Sequence, residues 1–238
     1  MLVTFLGLQE YTRMMLPHRP ESVRLLSLAG AFLPLTVLAN HPLALPGGVS
    51  LLFLATALYF LFYYGEIERA ATEWALAAAG IFYVPLLLVH ILLLRTLLHG
   101  IDWVFLLLFI VMFSDTFAYY IGCRFGRRRL YPSVSPKKSV EGALGGLLGA
   151  LSGTLVAHFT FFPQLTLVDC LLTALAAGIM GQLGDLFESL LKRSAGVKDS
   201  GSIIPGHGGI LDRLDSILFA APVLYYYAVY VFYGRTGF

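Results

Sequence analysis

The sequence predicts an all-α fold, a polytopic transmembrane helix bundle of about seven spans, and three observations carry that expectation. Of its 238 residues, 58% are hydrophobic and 13% charged, which is too apolar for a water-soluble domain of this length. Seven apolar runs, near 23–40, 49–65, 74–98, 102–123, 143–162, 166–190 and 215–233, approach the roughly 20 residues that a helix needs to cross hydrocarbon. With the loop after Met14 placed in the cytoplasm, every Lys and Arg except Arg95 and Arg235 falls on the inside. One missed or invented span would scramble that asymmetry, so the bias also supports the count of seven.

The opening residues Met1 to Leu8 are apolar but too short to cross. Followed by QEYTR and PHRPES, they read as a helix end or an interfacial segment. A cleavable signal peptide is not expected, because the basic residues follow the apolar stretch instead of preceding it. The first three spans carry little polarity beyond Glu66, Glu68, Arg69 and Glu73 in one short loop, so residues 1–101 are expected to be scaffold. A net charge of only +2 gives no footprint for nucleic acid. Cys123 and Cys170 fall near opposite faces of a bilayer about 30 Å thick, which excludes an internal disulfide.

Chemistry is expected in residues 102–238, with cytoplasmic loops at 124–142 and 192–211. Span four carries Asp115 shortly before its cytoplasmic end, and a strongly basic loop follows. Gly145, Gly149 and Gly153, at i, i+4 and i+8, put small residues on one helical face and predict close helix packing. No Walker pattern occurs, so a P-loop nucleotide site is not supported. Span six ends with Asp185, Glu188, Ser189 and Lys192 on one face. On a soluble helix this stripe would simply be solvated. Here it continues a membrane span, where each charge costs roughly 2.5 to 3.5 kcal/mol, and a buried site is the better reading.

Span seven opens at ILDRLDS, with Asp212 and Asp215 one turn apart. Two acids entering a helix can be nothing more than favourable N-terminal charges. Asp185, a third carboxylate expected at the same depth, favours a divalent metal, with Asp115 as a further candidate. Hard oxygen ligands of this kind suit Mg²⁺. Between the two helices, SAGVKDSGSIIPGHGG is punctuated by glycine. Repeated glycine lets backbone N–H groups approach an anion, with Lys198 and His207 as side-chain donors; tying down the turn is an equal reading for His207.

The run Ser189, Lys192, Arg193, Lys198, Asp199, Gly201, Ile204, Pro205, His207, Gly208, Gly209, Asp212, Arg213 and Asp215 resembles the signature of the phosphatidate cytidylyltransferases, also called CDP-diacylglycerol synthases. SPKKSVEGALGG, from Ser135 to Gly146, and the Asp115 region resemble that family as well. The likeness covers roughly the C-terminal half. Members usually carry about two further spans at the N-terminus, and this chain starts where their second would be ending, at FLGLQEYTRMM.

The resemblance implies a multi-pass enzyme of the cytoplasmic (inner) membrane with its site facing the cytoplasm. Its reaction would join CTP and phosphatidic acid, giving CDP-diacylglycerol and pyrophosphate in phospholipid biosynthesis. The cofactor would be Mg²⁺, in some members with a monovalent cation, and a homodimer is compatible with the likeness. In that reaction Asp185, Lys192, Asp212 and Asp215 would be catalytic, and Asp185, Asp212 and Asp215, with Asp115, would hold metal. Lys137, Lys138, Ser139, Glu141 and Gly142 would bind nucleotide or support its loop. Ser189, Arg193, Lys198, His207, Gly208, Gly209 and Arg213 would face phosphate and lipid. The alternatives are a CTP-dependent kinase or cytidylyltransferase acting on an isoprenoid alcohol or its phosphate, or an ion-coupled transporter. No repeated pair of broken helices supports the transporter.

Overall fold

A computed structural model describes residues 1–39, 41–203 and 208–236. Seven of its helical stretches are long and apolar enough to cross a membrane: Pro20–Leu38, Ala44–Phe62, Ile67–Thr96, Gly100–Phe125, Val140–Phe159, Leu167–Ser194 and Leu211–Arg235. Each overlaps one of the apolar runs read from the sequence. The chain is thus a multi-pass helical membrane protein, with one addition that the sequence did not announce. A short antiparallel hairpin, β1 (Arg129–Tyr131) and β2 (Ser135–Ser139), interrupts the helices.

Two compact units divide the chain, one formed by Met1–Leu92 with Ser194–Arg213 and the other by Leu93–Arg193 with Leu214–Phe238. In the first, α1 (Leu2–Met15) packs on α2 (Pro20–Ala31), which runs on into the short α3 (Leu35–Leu38); α4 (Ala44–Phe62) packs on α5 (Ile67–Ile81). Pro20 opens α2 at a position where its missing N–H costs nothing. The turn before α2 is fastened by Arg19, which donates to the Tyr63 carbonyl at 2.9 Å, pairs with Glu73 at 2.6 Å and lies over the Phe60 ring. Beyond α5, Pro85 falls inside a helix. The local widening to a π-turn over Phe82–Leu86 absorbs the missing donor before α6 (Leu87–Thr96) resumes.

In the second unit α7 (Gly100–Phe125) lies tightly against α8 (Val140–Phe159). Gly145, Gly149 and Gly153 form the seam: a Cβ on Gly145 would come within 2.7 Å of Ile121, and one on Gly153 within 2.8 Å of the Phe109 carbonyl. This is the close packing expected from their spacing. After α9 (Leu167–Ser194) and α10 (Leu211–Tyr227) come a second π-turn, Ala228–Phe232, and the final short α11 (Tyr233–Thr236). Trp103 is fully buried between Phe162 and Phe232, with its ring N–H donated to the Tyr233 hydroxyl at 3.0 Å.

A reciprocal cap begins α9. The Thr166 backbone N–H donates to Asp169 at 2.7 Å, and the Asp169 backbone N–H returns a bond to the Thr166 hydroxyl. Asp169 also accepts from Tyr227 and Arg235, so this fully buried carboxylate ties α9 to the last helical turns. Cys123 and Cys170 are both free thiols, in keeping with the excluded bridge.

Candidate active site

The β1–β2 hairpin sets the first group of side chains. Successive residues of a strand point to opposite faces, so β2 cannot present Lys137 and Lys138 to the same guest in the same way. Lys138 turns inward and forms an ion pair with Asp185 of α9, whereas Lys137 is exposed and its carbonyl accepts from Arg129. Ser139 is buried at the N-cap of α8 and accepts the Gly142 N–H at 3.1 Å. Glu141 accepts the backbone N–H groups of Arg127 and Arg128 at 3.0 and 3.2 Å. Both residues therefore brace the loop that carries Lys138. Gly142 lies where a Cβ would come within 3.0 Å of the Ala118 carbonyl, and its place is the helix seam.

Along α9 the expected face forms. Asp185 meets Lys138, and one turn later the fully buried Glu188 pairs with Lys192 at 2.5 Å. Ser189 is half-buried on the same side, and Arg193 donates to the Val134 carbonyl at 3.4 Å, holding the hairpin turn against the helix. Asp215 reaches this group because α10 comes very close to α9: a Cβ on Gly184 would sit 2.5 Å from the Asp215 carbonyl oxygen. Asp115 on α7 completes it. Asp115 lies within electrostatic reach of Asp185 and Lys138, and Asp215 within reach of Asp185, Glu188 and Asp115.

Four carboxylates from three membrane helices thus face two lysines in the second unit. Among the described residues, no three acidic, thiol or imidazole groups close around a point to form a metal cage. An open acidic group fits Mg²⁺, which usually takes one or two carboxylates and completes its shell with water and substrate phosphate. Below the carboxylates, Gln182 donates to the Ala143 carbonyl at 3.0 Å and reaches the Ser114 hydroxyl at 3.5 Å, joining α7, α8 and α9. Gln182 was missed in the sequence reading; the available signal was a lone amide one turn ahead of Asp185 in an otherwise apolar run.

In the first unit, the glycine-rich loop is organised around two other carboxylates. Oδ2 of Asp212 accepts the Ser200 N–H at 3.0 Å, the Ser200 hydroxyl at 3.0 Å and the Gly209 N–H at 2.7 Å. Gly208 turns the chain there at φ +83°, a conformation that suits glycine, and a Cβ on it would crowd Asp212 at 2.6 Å. Glu10 of α1, only 2% exposed, accepts the Ile210 N–H at 3.0 Å, the Leu211 N–H at 2.8 Å and the Ser200 hydroxyl at 3.0 Å. It satisfies the free amides at the start of α10. Lys198 and Arg213 are exposed in this unit, and His207 lies outside the described residues.

Residues 1–231 match the model of the Cytidylyltransferase family. The chain is 45% identical over 130 residues to the phosphatidate cytidylyltransferase of Bacillus subtilis, covering 54% of this chain and 48% of that protein. It is 47% identical over 127 residues to the enzyme of that name from Staphylococcus haemolyticus, covering 53% and 48%. Against the Synechocystis enzyme of that name, identity is 51% over 117 residues, covering 49% and 39%. The chain spans about half the length of the curated relatives it matches.

Proposed function

Because the chain belongs to the Cytidylyltransferase family, we propose that it transfers the cytidylyl group of CTP to phosphatidic acid, giving CDP-diacylglycerol and pyrophosphate. The observation that carries this reading is the gathering of Asp115, Asp185 and Asp215 beside Lys138 on membrane-embedded helices.

The chemistry asks for little more than such a cluster. A phosphatidate oxygen attacks the α-phosphorus of CTP, the bond from that phosphorus to the bridging oxygen breaks, and pyrophosphate departs with the electron pair. A phosphate monoester is already ionised near neutral pH, so no strong general base is required. The obstacle is repulsion between two polyanions, and positive charge must offset it. Lys138, released from Asp185, would hold the triphosphate, while Lys192 and Arg193 are assigned to the phosphatidate and the leaving group. Asp185 and Asp215, with Asp115 beside them, would hold Mg²⁺, which supplies Lewis-acid neutralisation of phosphate oxygens when bound. We assign Asp212, which takes the Ser200 and Gly209 amides, to shaping the glycine-rich loop rather than to metal, and those amides are thereby committed within the loop.

The asymmetry of Lys and Arg supports a cytoplasmic orientation for this end of the helices, and we assign the membrane as the inner one. Phosphatidate stays in its leaflet and CTP arrives from water, so a site at that boundary serves both. The test is radiolabelled CTP with purified protein in mixed micelles. Labelled CDP-lipid that requires both phosphatidic acid and Mg²⁺ supports the reading. Label transferred to a polyprenyl phosphate but not to phosphatidic acid would replace it with the isoprenoid reaction.

A further inference from the structure

Away from the carboxylates, a cavity of about 290 Å³ opens at the turn between α1 and α2, lined by Arg13, Leu16, Pro17, Pro20, Val23 and Arg24. Its floor is apolar, with Leu16 and Val23 each 3% exposed, and the two exposed arginines supply its charge. Among the described residues, neither guanidinium has an ion pair or a hydrogen bond. Arg19, in the same turn, is used quite differently: it is committed to Tyr63, Glu73 and Phe60. Glu21, in the first turn of α2, makes no ion pair with Arg13 or Arg24. The fold therefore spends one arginine of this turn on its own packing and leaves two around a hollow.

The depth of that hollow is set by the helix beside it. Pro20–Leu38, 19 residues long, is long and apolar enough to cross a membrane, and the cavity lies at its first turn, the level at which a span of that length would meet headgroups. Arg24, Leu28 and Phe32 recur at i, i+4 and i+8 on one exposed face, with Leu28 53% and Phe32 56% exposed. A single molecule with an anionic head and an apolar tail would meet the arginines first and the stripe next. Two planar guanidinium forks suit phosphate oxygens, and α2 adds the positive end of its dipole.

We propose that this cavity binds the phosphodiester headgroup of an anionic membrane phospholipid, with an acyl chain lying along Leu28 and Phe32. A phosphodiester has no free monoester oxygen with which to attack CTP, so the bound lipid is a companion of the protein and not its proposed substrate. The inference is independent of the catalytic reading.

Native mass spectrometry of the purified full chain, offered dioleoyl phosphatidylglycerol or dioleoyl phosphatidylethanolamine, tests it. The wild type is expected to retain phosphatidylglycerol in preference to phosphatidylethanolamine. Arg13→Gln and Arg24→Gln should each weaken retention about fivefold, as expected for one cationic side chain at an anionic surface. Arg69→Gln, an equal change of charge elsewhere, should leave it unchanged. Equal retention by both arginine variants and the wild type overturns the proposal, as does equal uptake of the zwitterionic lipid. Displacement of the lipid by inorganic phosphate alone would overturn the lipid assignment in favour of a free-phosphate site. Melting temperatures of the single variants, read in the same detergent, separate lost binding from lost fold.

Discussion

Glu10 and Leu211 stand 201 positions apart and are joined by a 2.8 Å hydrogen bond in which the Leu211 amide donates to a buried carboxylate. With Ile210 bound to the other oxygen of Glu10, the start of α10 is capped by a side chain from the first helix of the chain. Glu10→Gln replaces one acceptor oxygen with a donor facing N–H groups, and should cost about 1–3 kcal/mol of stability. We expect a lower melting temperature together with reduced turnover. A variant that melts and turns over like the wild type would show that Glu10 does not hold the loop.

Asp185→Asn and Asp215→Asn should each lower CDP-lipid formation about 100-fold or more, equivalent to roughly 2.7 kcal/mol of transition-state stabilisation. Neither should unfold the protein, because removing negative charge relieves a crowded acidic group. The check is turnover beside thermal melting, with Mg²⁺ titrated from chelated protein. A variant with wild-type rate and wild-type Mg²⁺ requirement would remove that carboxylate from the proposed metal site. Asp212→Asn should act differently, lowering the melting temperature through Ser200 and Gly209.

The two lysines of β2 should separate kinetically. Lys138→Ala removes the inward-facing partner of Asp185 and should raise the KM for CTP by about tenfold, the loss of roughly 1.4 kcal/mol of binding. Lys137→Ala, on the other face, should change it far less. The lipid requirement should be little altered in both, and steady-state kinetics with each substrate varied in turn will show whether it is.

The seven spans and the polar face of α9 were legible because hydropathy and helical period are local properties of the chain. Asp185, Glu188, Ser189 and Lys192 could be placed on one side by counting alone. The hairpin was not legible: SVSPKKS is short and contains a proline, so it reads as loop, and its shape depends on Glu141 holding the Arg127 and Arg128 amides and Arg193 holding Val134. Glu10 was invisible for a related reason. In QEYTR it looks like interfacial polarity, and every group that explains its burial lies at Ser200, Ile210 or Leu211. Contacts over such separations leave no periodic trace.

The seam between α7 and α8 predicts a contrast between two glycines. Gly149→Ala would drive a methyl group into the Phe113 carbonyl and should cost about 1–3 kcal/mol as overpacking. Gly47→Ala, on α4, meets nothing within 4 Å and should be tolerated. Melting temperatures of the two variants in one detergent give the comparison, and equal values would mean that the seam is looser than described.

The ion pair between Lys138 and Asp185 also has a kinetic meaning. It ties the β1–β2 hairpin to α9, and a triphosphate bound by Lys138, as proposed, would have to break that tie. On the proposed nucleotide role of Lys138, nucleotide arrival and loss of this pair would be a single event, and Asp185 would be unmasked only with a polyanion present. Until then Lys138 offsets the charge of Asp185.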